Sequence, residues 1–345
     1  MSIYKLTEEH QLFRASIKKW TDQKLVPVVT DMEHAKRIDE SLIESLDQLG
    51  FLSAALPEDK GGFDADVIWQ VLLLEEIAKA GSVGFTQVVK QHAALGIPIV
   101  QKHFPHINFN DSEKPFFTYV QKKDGATQSV IINGQKADFV IVHNIDQYTL
   151  EMYSRNDLVL QQADDLVGWH TAQLALAGLS DSGMPIETIY LSKEQSLYWQ
   201  ATNHLFDAAV FYGVAKKICA ETTNYAKTRI QFDGPLTQFQ VVRHSIVDQA
   251  IATEKLLQLL YVTAFNDTNP AYINQCFALH LYVLNEIHLI TDRNVQIHGG
   301  NGFMMEYNAQ RYWRDSQMYR VLSTETAYGA NDIGKILLNT PISTY

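Results

Sequence analysis

Cysteine is nearly absent: Cys219 and Cys276 are the two thiols in 345 residues, each among apolar helical neighbours and neither in a metal-ligand spacing. This excludes a disulfide framework and a zinc site built on Cys pairs, and it fits a reducing, cytoplasmic setting. Positive charge is also short. Lys and Arg number 28 against 39 Asp and Glu, for a formal net charge of -11, so no basic face is expected for a nucleic-acid backbone. Long apolar runs are missing too. The most apolar stretch, Leu256 to Phe265, falls far below the roughly 20 residues of a bilayer span, and Lys5, Glu8, Glu9 and His10 occupy the region where a secretory signal is hydrophobic. A protein without a membrane segment is expected. No Glu-x-x-His pair occurs, which removes a di-iron carboxylate bundle. The twelve histidines form no Cys/His ligand set, so no metal site is expected.

What is present is enough apolar residue, 46% of the chain, to bury a sizeable core over two or three domains. Residues 1–110 read as a helical domain. Leu42, Leu46 and Leu49 repeat at helical spacing before Gly50, and Val67, Val71, Leu74 and Ile77 share one face after Asp66. Residues 111–198 change period. Ser129 to Ile132 and Phe139 to Val142 flank Asn133-Gly134, which predicts an antiparallel hairpin, and Leu158 to Leu160 and Ile186 to Leu191 are further short apolar runs. The helical period returns over 199–345. There Val242, Ile246, Ala250, Leu257 and Ala264 predict the buried stripe of one long helix, with a second from Ala271 to His298. The fold class is therefore α+β, with a helical N-terminal domain, a small middle β domain and a C-terminal helical bundle.

The most informative stretch runs from Asn294 to Asp315. Gly299, Gly300 and Gly302 let the backbone turn and let a flat or phosphorylated ligand approach its amides, and Arg311, Arg314 and Asp315 follow closely. Gln296-x-x-Gly-Gly-x-Gly-Phe303, the Glu306-Tyr307 pair and Arg311-x-x-Arg-Asp315 resemble the flavin-binding signature of the acyl-CoA dehydrogenase family. The passage from Leu49-Gly50-Phe51 to Phe63 and that from Arg229-x-x-Phe232 to Gln240 resemble family segments too, so the likeness covers nearly the whole chain. It implies FAD as cofactor and a homodimer or homotetramer in which Arg229 reaches the flavin pyrophosphate of a neighbouring subunit. A guanidinium suits that task because its planar fork pairs with phosphate oxygens and keeps its charge. Phe232, Phe239, Gln240, Gln296, His298, Gly299, Gly300 and Gly302 are the other cofactor-binding positions implied. Arg314, Asp315 and Glu306 read instead as internal charge pairs on adjacent helix turns.

The resemblance implies α,β-desaturation of an acyl thioester carried on coenzyme A or an acyl-carrier protein, with an electron-transfer flavoprotein or oxygen as final acceptor. That reaction needs a carboxylate base. In the family a glutamate follows the Arg-Asp pair, and ungapped alignment puts Ser323 in its slot, with Glu325 two residues later. Some members carry the base on an earlier helix, where Asn203 and His204 stand here and Asp207 lies one turn on. Losing a general base removes about 10²–10⁴ in rate, so either Glu325 swings in through a remodelled turn from Leu322 to Thr326 or the activity differs. The middle domain is shorter than the family's and lacks its Thr-Glu-Pro and Gly-Ser-Asp run, with Phe117 to Val120 as a remnant. Val130-Ile131-Ile132 replaces the usual Trp-x-Thr, and Ile132 cannot donate a hydroxyl hydrogen bond to flavin N5. The half of the site that serves a neighbour is better kept than the half that serves the subunit's own flavin. A rival expectation is thus a non-catalytic partner subunit of a hetero-oligomer.

Overall fold

A computed structural model describes residues 5–107, 114–126, 128–163, 166–178, 183–326 and 334, with the side chains of 324–326 outside the description. Six helices come first: α1 (Glu8–Trp20), α2 (Val29–Ala35), α3 (Glu40–Gln48), α4 (Val67–Ala78), α5 (Val83–Val89) and α6 (Ile97–His103). Caps set their starts. The Thr7 hydroxyl accepts from the His10 amide at α1, and the Asp66 carboxylate accepts from the amides of Ile68 and Trp69 at α4. Gly50, at φ +74, ends the turn after α3 as expected, although Leu49 is exposed while Leu42 and Leu46 are buried. The pattern over α4 predicts one apolar face, yet the helix is buried almost all round, including Glu75 and Glu76. These carboxylates are compensated: Arg14 reaches Glu75 at 2.8 Å and Glu76 at 2.5 Å, and Tyr261 donates to Glu75 at 3.0 Å.

Seven strands follow: β1 (Phe117–Lys122), β2 (Ser129–Ile131), β3 (Phe139–Asn144), β4 (Thr149–Ser154), β5 (Leu160–Gln162), β6 (Ala175–Ala177) and β7 (Glu187–Tyr190). They form two sheets, in the orders β1-β3-β4-β7 and β2-β6-β5. The expected hairpin across Asn133-Gly134 is not there. β2 pairs with β6 and β3 pairs with β1 in parallel and with β4, so the turn, with Asn133 at φ +54, carries the chain from one sheet to the other. A small core of Val120, Ile131, Val140, Val142, Tyr153, Leu158 and Ala177 draws on both sheets. Two apolar strands that each need an inner face gain more by closing this core than by pairing with each other.

The C-terminal part holds α7 (Lys193–Thr228), the short hairpin β8 (Ile230–Gln231) and β9 (Gly234–Pro235), then α8 (Gln240–Ala264), α9 (Tyr272–His298) and α10 (Ala309–Thr326). The 36-residue α7 starts at a reciprocal Ser192–Gln195 capping box and packs along α4, α8 and α9. Gly213 allows the α4 contact, because a Cβ there would sit 2.4 Å from the Glu75 carbonyl. On α8 Ala264 is buried as expected and Val242, Ile246 and Leu257 are half-buried, but Ala250 is exposed and the rest of the buried face is Gln249, Ala252, Thr253, Leu256, Leu260, Tyr261 and Thr263. Val241, Val247, Ile251 and Leu259 lie exposed, because the helix is apolar on two faces and only one meets α7 and α9. Among the described residues, no helix is long and apolar enough to cross a membrane.

Candidate active-site cleft and cofactor-side surface

A cleft of about 630 Å³ opens where the N-terminal helices, the β-sheets, α7 and α10 meet. One wall comes from α5 and the helical segment that continues it. Gln87, Lys90 and Gln91 stand at i, i+3 and i+4, so one face presents all three. Asn203, His204 and Asp207 occupy the facing turns of α7, and all six residues line the cleft. The Lys90 ammonium lies 2.5 Å from Asp207 Oδ1 and donates to Asn203 Oδ1 at 3.0 Å, while Gln87 Nε2 donates to the same Asp207 oxygen at 2.9 Å. Burial pushes the Lys90 pKa down and the Asp207 charge opposes that shift. The pair is net neutral and tightly held.

The opposite wall is α10, through Met318, Tyr319, Leu322 and Ser323. The Tyr319 hydroxyl and His280 Nδ1 share a 2.8 Å hydrogen bond, and the His280 ring stacks on His204 at 3.8 Å. Burial lowers both imidazoles, His280 to about 4 and His204 well below the ordinary value. Both are therefore neutral at pH 7. Ser323, the residue expected in the glutamate slot, is buried, in contact with the Tyr319 phenol and part of the cleft lining. The turn expected from Leu322 to Thr326 is helical instead, since backbone hydrogen bonding carries α10 through Thr326. Position 325 lies about 200° around that helix from position 323, and the Glu325 side chain is outside the described residues. Among the described residues, Asp207 is the one carboxylate lining the cleft. Ile132, Leu166, Trp169 and Leu176 supply its apolar side.

The remaining sequence-predicted positions gather elsewhere. Arg229 directly follows α7 and is exposed. Phe232 and Asp233, both at positive φ, form the tip of the β8–β9 hairpin, and the Phe232 ring meets Phe239 edge-on at 6.1 Å. Gln240 opens α8, and Gln296 sits exposed in the last turn of α9. Tyr225, in the last turn of α7, ties the glycine loop to this end of the bundle. Its ring stacks on His298 at 4.0 Å, its hydroxyl donates to the His298 carbonyl, and Asn301 donates back to that hydroxyl. A side chain at Gly300 would meet nothing within 4 Å, and Gly299 holds φ +58. Their backbone thus faces open space. His298 and Gly302 are instead engaged in packing, with His298 Nδ1 on the Asn294 carbonyl and Gly302 against the Val295 carbonyl. None of these nine residues lines the cleft.

Sequence reasoning missed two groups. Gln87, Lys90 and Gln91 were legible only as polar residues at helical spacing inside an apolar run. Arg314 and Asp315 do not make the internal pairs expected of them. Asp315 accepts from the Trp169 amide at 2.8 Å, Arg314 donates to the Val167 carbonyl at 2.7 Å, and so α10 is docked to the β domain beside the cleft. Glu306 is exposed.

The model of the acyl-CoA dehydrogenase N-terminal domain matches residues 7–103 and that of the C-terminal domain residues 204–338, together more than half of the chain. The short-chain specific acyl-CoA dehydrogenase of Megasphaera elsdenii is 26% identical, over 96% of this chain and 97% of its own length. The structure of butyryl-CoA dehydrogenase from the same organism superposes with a TM-score of 0.81 at 21% identity, covering 97% of this chain and 100% of that one. A structure described as PigA with FAD and proline gives 0.81 at 15% identity, covering 97% of each chain. With both domain models in chain order around a two-sheet middle, the chain belongs to the acyl-CoA dehydrogenase family.

Proposed function

We propose that the protein is an FAD-dependent acyl-thioester dehydrogenase that desaturates its substrate between the α and β carbons, the thioester being carried on coenzyme A or an acyl-carrier protein. The observation that carries this reading is the cleft itself, which has Ser323 of the family's catalytic slot on one wall and Ile132, Trp169 and the sheets on the other. Its volume of about 630 Å³ falls in the range of small-molecule and cofactor sites. FAD, when bound, supplies the acceptor for the β hydride, and an electron-transfer flavoprotein or oxygen then takes the electrons. The exposed Arg229 and the open backbone of Gly299 and Gly300 suit a diphosphate.

This cofactor-side group lies on an outward surface with Phe232 86% and Phe303 76% exposed, next to the apolar outer face of α8. Such a surface suits a second copy of the chain, in a homodimer or homotetramer whose members complete each other's flavin sites. Arg229, Phe232, Phe239, Gln240, Gln296, Gly299 and Gly300 are assigned to the cofactor on that basis, with the buried His298 and Gly302 holding their loop from behind. The α proton needs a carboxylate within reach. Asp207 is held through Oδ1 by Lys90 and Gln87, and the base is assigned to Glu325, brought in by unwinding of the last turn of α10, with Ser323 lining its path.

Purification of the full chain is the test. A yellow protein whose flavin is bleached by butyryl-CoA supports the dehydrogenase, and Glu325→Gln should slow that bleaching by about 10²–10⁴. Unchanged bleaching in the variant removes Glu325 from the mechanism. A colourless, inactive protein favours the second reading, a subunit that completes another chain's flavin site. The observation on its side is that the neighbour-facing group is intact while the cleft keeps no glutamate among its described residues.

A further inference from the structure

Among the described residues, three side chains that line the cleft each carry a polar atom without a hydrogen-bond partner. Gln87 donates its Nε2 to Asp207, which fixes its amide orientation and leaves Oε1 turned away without a hydrogen bond. Gln91 Oε1 and His204 Nδ1 are likewise unpartnered, and the three side chains are 0%, 5% and 3% exposed. All three line the same end of the cleft. Its apolar lining is Ile132, Leu166, Trp169 and Leu176, while Gln121, Lys122, Lys123, Gln128 and Ser129 line it from the strands and their turns. The charges at the polar end already cancel, Lys90 against Asp207.

Two amide oxygens and an imidazole nitrogen here are already closed to water, and a plain alkyl chain entering this end would leave them with nothing to bind. Each buried acceptor left so is a sizeable penalty, and each one satisfied recovers it. Both amide oxygens are acceptors. The imidazole is neutral because burial lowers its pKa, so its Nδ1 accepts when the proton sits on Nε2. The two amide oxygens ask for a donor, and His204 Nδ1 joins them in that tautomer.

Building on the desaturase reading above, we infer that the acyl group this cleft takes carries a hydrogen-bond donor, a hydroxyl or an amine, which Gln87, Gln91 and His204 receive. The apolar wall holds the carbon chain and the polar end reads its substituent. Specificity then comes from positions on α5, the helical segment that continues it and α7 rather than from chain length alone.

The experiment compares butyryl-CoA with γ-hydroxybutyryl-CoA by titration calorimetry on the FAD-loaded full chain, a readout that needs no turnover. The hydroxylated thioester should bind about tenfold tighter, since one donor satisfying a buried acceptor is worth about 1.4 kcal/mol at that ratio. Gln91→Met, which keeps the side-chain length, should erase most of the preference, and Gln87→Met provides a second variant should the first not fold. Equal affinity, or tighter binding of butyryl-CoA, overturns the inference while leaving the thioester reading standing, and is the result expected if water alone fills the polar end. Binding of neither compound overturns both.

Discussion

Lys90 and Asp207 offer the sharpest test of how this cleft is held. Their groups lie 2.5 Å apart with both residues buried. Lys90→Met leaves the carboxylate with Gln87 and no cation, an uncompensated buried charge that costs about 3–5 kcal/mol. Asp207→Asn leaves the ammonium, but burial already pushes Lys90 toward its neutral form. Losing the proton relieves part of the penalty, so this single change should cost less than the first. The double variant removes both charges and keeps an amide against a thioether, so it should be more stable than the two single costs added together predict. A coupling of about 2–3 kcal/mol follows. Urea unfolding followed by fluorescence of the five tryptophans would give the four midpoints at one pH. Additive single and double costs would refute the reasoning, for they would mean that solvent reaches the pair and that the cleft is wetter than its geometry shows.

Burial, with the charge of Glu33 adding to it, pushes the Asp315 carboxyl up to about 7. The native state therefore prefers the protonated form: the contribution is complete below the ordinary carboxylate range, about 3.9, and is lost as pH rises through about 7. Asp315→Asn keeps an acceptor for the Trp169 amide, so its melting temperature should gain on the natural protein's as pH rises from 4 to 8; parallel curves would count against the assignment. For Gly213→Ala, helix propensity favours Ala by about 1 kcal/mol, but its Cβ would meet the Glu75 carbonyl at 2.4 Å and Ala78 Cβ at 2.6 Å. Overpacking of about 1–3 kcal/mol should win and lower the melting temperature, and a stabilised variant would show that α4 and α7 are less tightly apposed.

Local chemistry was enough to determine the elements. Caps at Thr7, Asp66 and Ser192, the return of helical period after the strands and the glycine run at Gly299 are set by neighbours in sequence, and the helix–sheet–helix order and the resemblance follow from them. Partner choice was not so determined. The Asn133-Gly134 dipeptide marks a turn but not which strands it joins, because pairing depends on which inner face a strand can bury. The apolar residues of α8 could not say which stripe faces inward, since that depends on where α7 and α9 lie. Charge pairing was the least legible. Arg314 and Asp315 suggested each other, while the tertiary structure gave them the backbone of the Trp169 loop, and Lys90 found Asp207 across 117 positions of chain. Short-range order is written in sequence because its partners are a few residues apart; the cleft is made by residues that only packing brings within reach.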